Sequence, residues 1–214
     1  KAVTYTAGST SRAYNGSALT NSTASITSGG IVSGHTATFS ISGTITNVGS
    51  ATNTLNSVTI KNGSGTDVSS NYNITKQNGT LTVTYASATK PTAANYCNTL
   101  TYNGSSQTLV KTAGTGYSFS PTSGTDAKSY TITATLNGNY EWSDGTRTAV
   151  TFDCSIGKKA VTYKADSASK TYDGSALTKN SASITSGSLV SGHSASFSIS
   201  GSITNAGSAT NTLN

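Results

Sequence analysis

The chain lacks methionine altogether, and it has little charge: Asp, Glu, Lys and Arg make up 9% of its 214 residues, against roughly 25% in an ordinary globular protein. The missing Met, the scarcity of Leu, and Ala scattered among Ser, Thr and Gly argue against a helical fold. Low charge argues equally against ordinary disorder, which favours Pro and high net charge; this chain has 2 prolines. Scarce carboxylates restrict the chemistry. Asp67 is the only acid before Tyr85, so a calcium site, which combines several carboxylates, is not expected there. Paired acids for glycoside hydrolysis are missing there too, and Glu141 and Asp144 read as turn residues. No apolar run reaches transmembrane length, so this segment is not expected to insert into a membrane.

What is present is Ser, Thr, Asn and Gly, with β-branched residues and Tyr at regular spacing. Hydrophobic residues are 33% of the chain, which allows only thin cores and suits small two-layer β domains with alternate side chains in solvent. The net charge of +6 comes from Lys and Arg dispersed along the chain. A nucleic-acid binder would gather that charge into a patch or arm, so no nucleic-acid partner is expected.

The dominant feature is a repeat. Lys159–Asn214 restates Lys1–Asn56 at a constant offset of 158 (159 − 1, and 214 − 56) without a gap. Roughly three quarters of the positions are identical, the signature of a tandem array. Tyr-Asn/Asp-Gly-Ser occurs at Tyr14, Tyr102 and Tyr172. The chain therefore reads as three modules: 1–85, 86–157 and 158–214, the last without a counterpart of Ser57–Thr84. It reads as a fragment of a longer array.

Within the first module, alternation predicts strands at Ala2–Ala7, Ala24–Thr27, Thr36–Ser42, Thr44–Val48 and Leu55–Lys61. Residues 47–53 read as a loop. Asn15-Gly16 predicts a tight hairpin turn, and Asn78-Gly79 predicts a second hairpin joining Tyr72–Lys76 to Thr80–Tyr85. Strands over Gln107–Lys111, Tyr117–Ser120, Ser129–Leu136 and Ala149–Ile156 are expected in the second module.

Tyr172-Asp173-Gly174-Ser175-Ala176-Leu177-Thr178, Leu189-Val190-Ser191-Gly192-His193, the run Val58–Thr75, and Asn78-Gly79-Thr80-Leu81-Thr82-Val83-Thr84 together resemble the MBG/YDG-type repeats of bacterial surface proteins. The second module, with Leu100–Leu109 and Tyr140–Thr146, is similar to the related bacterial Ig-like repeats. The resemblance covers essentially the whole chain. It implies an all-β fold of tandem Ig-like β-sandwich modules in an elongated array. It also implies a place at the bacterial cell surface as stalk or fibre, with no enzyme activity and no cofactor. A β-grasp-like variant has a compatible strand count.

In that oxidising setting, Cys97 and Cys154, on the first and last expected strands of the second module, are expected to form a disulfide; two buried free thiols are the alternative. Two cysteines alone do not make a metal site. His35 and His193, equivalent by repeat, read as turn or packing residues. Tyr140 and Trp142 are the candidate ligand-contact residues, a flat aromatic pair for a sugar, with burial in the core as the alternative. The expected partners are neighbouring modules or other copies of the chain. A glycan- or host-protein-binding adhesin module is the second reading. Were Ser57–Thr84 to supply core strands, the third module would expose a sheet edge able to recruit a strand from another chain, giving head-to-tail assembly.

Overall fold

A computed structural model describes Lys1–Asn214. The chain is nearly all β, with 47% strand and 3% helix. It packs as two compact units, one of Lys1–Pro91, Ala113–Phe119 and Thr133–Val150, the other of Thr92–Thr112, Ser120–Ile132 and Thr151–Asn214.

In the first unit, β1 (Ala2–Ala7) buries Val3, Tyr5 and Ala7 on one face, as its period of two requires. β2 (Thr10–Ala13), β3 (Ala24–Gly29), β4 (Thr36–Ser42) and β5 (Gly49–Lys61) follow, then β6 (Asn73–Gln77) and β7 (Gly79–Thr84). They form two sheets, β3-β1-β6 and β2-β7-β5-β4. Val3, Tyr5 and Ala7 of the first sheet pack against Leu55 and Ile60 of the second, with Phe39 edge-on to Tyr5 at 5.3 Å. Burying each such aliphatic side chain contributes about 1.5–3 kcal/mol.

Both expected hairpins take another form. Asn15-Gly16 follows β2, and Asn15 Oδ1 accepts from Ser17 N at 3.1 Å. β2 then runs parallel to β7, and β3 returns to β1, so no hairpin closes there. Asn78-Gly79 carries the chain from one sheet to the other. β6 lies parallel to β1, whereas β7 is central in the second sheet, parallel to β2 and antiparallel to β5. Gly79 has no positive φ, which a two-residue hairpin of this type needs. A glycine is required there for another reason: a Cβ would sit 2.5 Å from the carbonyl oxygens of Ala7 and Gly8. The expected loop at 47–53 is largely strand. β5 spans 13 residues because its two halves serve different partners, β7 through Gly49–Asn53 and β4 through Thr54–Lys61. Of the expected strand at Thr44–Val48, only an Ile45–Leu19 bridge forms.

Farther on come β8 (Ala86–Ala88), one helical turn α1 (Ala93–Tyr96), β9 (Leu100–Thr101), β10 (Gln107–Thr108), β11 (Tyr117–Ser120) and β12 (Ser123–Gly124). β13 (Ser129–Leu136), β14 (Tyr140–Trp142) and β15 (Val150–Gly157) complete this stretch, with a sheet in the order β11-β13-β15-β9 and a parallel β14–β8 pair.

In the second unit, Lys159–Asn214 repeats the first module where its sequence allows. β16 (Val161–Ala165) pairs β17 (Ala182–Gly187) with the register of β1 and β3, down to the bulge at Thr162/Tyr163 that matches Thr4/Tyr5. Leu177 bridges Ile203 as Leu19 bridges Ile45. Only the short β18 (Ile199–Ser200) and β19 (Thr212–Leu213) stand where β4 and β5 lie. Val161, Tyr163 and Ala165 are half-buried, where Val3, Tyr5 and Ala7 are each 2% exposed.

Candidate functional site

Cys97 and Cys154 are joined, with Cα atoms 5.4 Å apart. Cys154 lies on β15 as expected, and is buried. Cys97 lies elsewhere than expected: it caps the single turn α1 and bridges Val110, because Pro91 and the Ala93-Ala94 pair open a helical turn where a strand was read.

The aromatic pair is not a sugar platform. Trp142 is 0% exposed. Its Nε1 donates to the Thr148 carbonyl at 2.8 Å, and the Tyr117 ring packs at 5.2 Å. A ring face that is already in the core offers nothing to a ligand. Tyr140 is half-buried and meets Tyr14 edge-on at 5.6 Å. The candidate ligand-contact role of Trp142 is thus corrected to core packing, while Tyr140 contacts the first repeat.

His35 acts in packing. Its Nδ1 is 2.8 Å from Tyr72 Oη, which accepts from Val32 N at 3.0 Å. No three of His, Cys, Asp and Glu gather into a metal-binding group. No helix is long and apolar enough to cross a membrane.

Asp144 pairs with Lys90 Nζ at 2.5 Å, and its Oδ1 accepts from Thr146 N and Oγ1. The Lys90 hydrogen bond, followed by those from Thr146, lowers the carboxyl from 3.8 to about 2. These bonds favour the ionised form in the fold. Their contribution is therefore complete above pH 3.8 and is lost as pH falls through about 2. Lys90→Met removes the largest cause. The Asp144 titration, followed by carboxyl NMR, then moves up toward 3.8; an unmoved midpoint would contradict this assignment.

The side chains that do converge belong to the repeat itself, on two faces. In the first unit, Val48 N donates to Asn139 Oδ1 at 2.9 Å, and Asn139 Nδ2 donates to Asn47 Oδ1 at 3.0 Å. With the Tyr14–Tyr140 contact, these fasten one face of the first repeat to the turn that follows it in sequence. In the second unit, a different face of the second copy meets the segment that precedes it. Tyr102 Oη lies 3.4 Å from His193 Nε2. Gly104, at φ 80°, sits so close to Val190 that a Cβ would come within 2.5 Å of its Cγ1.

Tyr172, equivalent to Tyr14, is 64% exposed, and Val32, equivalent to Val190, is 47% exposed. Sequence reading missed Asn47, Asn139 and the buried Asn53, because Asn is common throughout the chain and each lies in a polar run. Recurrence of Asn47 and Asn53 as Asn205 and Asn211 is a signal only in retrospect. Comparison with protein-family models, curated proteins and solved structures finds no match for this chain.

Proposed function

We propose that this chain is a structural part of a bacterial extracellular fibre or adhesin stalk, built of tandem Ig-like β-sandwich modules and without catalysis. The observation that carries this reading is the two-faced repeat. One face (Tyr14, Asn47, Val48) takes the following segment, and the other (Val190, His193) takes the preceding one. An element with distinct contacts for both neighbours propagates an array in one direction, as in other quasi-one-dimensional repeat proteins. Hydrogen bonds and ring contacts at each join stiffen it against bending. The resemblance to MBG/YDG-type repeats supports the same reading, and so does the disulfide, a bond that persists in oxidising compartments.

The test is to concatenate residues 1–158, one full period, and measure the radius of gyration as the number of periods grows. A stalk lengthens in proportion to period number. Saturable binding of the chain to immobilised glycans or host matrix proteins, with no such lengthening, would favour the adhesin-module reading instead.

A further inference from the structure

The first repeat has four edge strands, β3 and β6 in one sheet and β2 and β4 in the other. An open edge offers unpaired N–H and C=O groups to another chain, so folded proteins blunt it with charge, brevity or a bulge. Three of the four are blunted. In β3, Thr27 is left out of the pairing, because Thr4 faces Ser28 and Tyr5 faces Ile26; such a bulge twists an edge away. β6 carries the exposed Lys76. β2 has 4 residues, one of them Arg12.

β4 has none of these devices. It spans 7 residues, Thr36–Ser42, with no charge and no proline. The irregularity in its ladder falls on β5: Ser40 faces Ser57, Ile41 faces Leu55, and Asn56 is the extra residue. Its hydrogen-bonded neighbour is β5 alone. The contacts that join the repeats do not reach it. Tyr14, Asn47 and Val48 take the following segment. At the second copy Val190 and His193 take the preceding one, ahead of the strand's counterpart Ser194–Ser200. That counterpart reads Ser-Ala-Ser-Phe-Ser-Ile-Ser, with the same alternation and again no charge.

The pattern of β4 is self-complementary. Its polar and apolar residues alternate symmetrically about Phe39. Two copies laid antiparallel about that residue put Phe39 opposite Phe39, Ala37 opposite Ile41, and Thr38 opposite Ser40. Residues directly opposite share a face, so the half-buried Ala37, Phe39 and Ile41 of both copies extend one apolar face and the exposed hydroxyl residues the other. Lys61 on β5 lies opposite Thr36. The antiparallel arrangement separates the two Lys61 side chains by about 20 Å along the strands, beyond the Debye length of about 8 Å in physiological salt. A neutral edge gives a charged peptide nothing to grip, whereas a second β4 matches it in length and pattern. We propose that β4 is a lateral pairing edge, through which two copies of this chain join in a two-fold antiparallel register centred on Phe39, merging two four-stranded sheets into one. This goes beyond the stalk reading, since the pairing runs side to side and uses no contact between neighbouring modules.

Sedimentation equilibrium on the full chain, up to about 1 mM, should show a reversible monomer–dimer equilibrium. Amide exchange in residues 36–42 should slow as concentration rises. Charge reads the register. Thr38→Lys with Ser40→Lys sets Lys opposite Lys at two places and should weaken the dimer at least about tenfold. Thr38→Lys with Ser40→Glu sets Lys opposite Glu at both and should bring affinity back to within about threefold of the parent. Both positions are exposed in the monomer and face Thr59 and Ser57, so equal melting midpoints show that both variants fold. A monomer at every concentration, a dimer indifferent to the two lysines, no recovery with Lys and Glu, or protection away from residues 36–42 would each overturn the proposal. None of these substitutions touches Tyr14, Asn47, Asn139 or His193, so failure here leaves the concatemer test of the stalk reading standing.

Discussion

Replacing Cys97 and Cys154 together by alanine lowers stability by about 4 kcal/mol, the largest single effect expected in this chain. The cross-link joins residues 57 apart in sequence. In the chain-entropy account, releasing a loop of that size restores about 4 kcal/mol of freedom to the unfolded state. Alanine is the informative substitute, because Cys154 is 2% exposed and a serine hydroxyl there would add a buried polar group of its own. The remaining core of this stretch is thin: Leu109, Ile132, Ala134, Trp142 and Ile156 are the side chains most removed from water. For a segment of this size the loss corresponds to a fall on the order of 20 °C in its melting midpoint. Thermal unfolding with and without reductant checks it. The reduced wild type and the oxidised double variant should coincide, and an oxidised double variant that melts with the oxidised wild type would contradict the account.

Asn53→Ala destabilises the first repeat by about 3 kcal/mol, while Asn211→Ala costs the third about 1 kcal/mol or less. Both amides make the same two hydrogen bonds. What differs is the surroundings. Asn53 is 0% exposed, so its removal strands the Gly8 and Asn21 carbonyls where water does not reach. Asn211 is half-buried, and water can replace it. Part of the loss at Asn53 is offset because its Oδ1 has no partner in the core. Local amide exchange reads the two sites apart, which a single global midpoint for a multi-unit chain does not. Equal effects at the two positions would mean that the repeats are equally closed.

The strands with strong alternation were legible from sequence. β1, β4 and β7 fall where the period of two put them, since one buried face dictates every second residue. Partner choice was not legible. Asn15-Gly16 and Asn78-Gly79 both signal a turn, but which strands meet across a turn depends on non-local packing. Gly79 is set by two carbonyls of a distant strand. The polar run 47–53 hid a strand because Gly49–Asn53 pair with β7 through small and polar residues, so no apolar alternation announces it. Asn53 was invisible for the same reason. For the candidate site, the cysteine pair was legible from its even count, although Cys97 caps a helical turn where a strand is expected. Trp142 shows the limit: a lone aromatic in a turn-like sequence looks the same whether it faces a ligand or, as here, Tyr117.

The account rests on the claim that each repeat grips both neighbours, and the growth of concatenated periods tests that claim most directly. X-ray scattering on one, two, three and four copies of residues 1–158 should give a radius of gyration that rises in proportion to copy number. Adding Tyr14→Ala and Asn139→Ala in every period should reduce the dependence toward roughly the square root of copy number, as for flexibly linked units. Square-root growth in the unmutated concatemers, or growth unaffected by the two substitutions, would contradict a stalk built from these contacts.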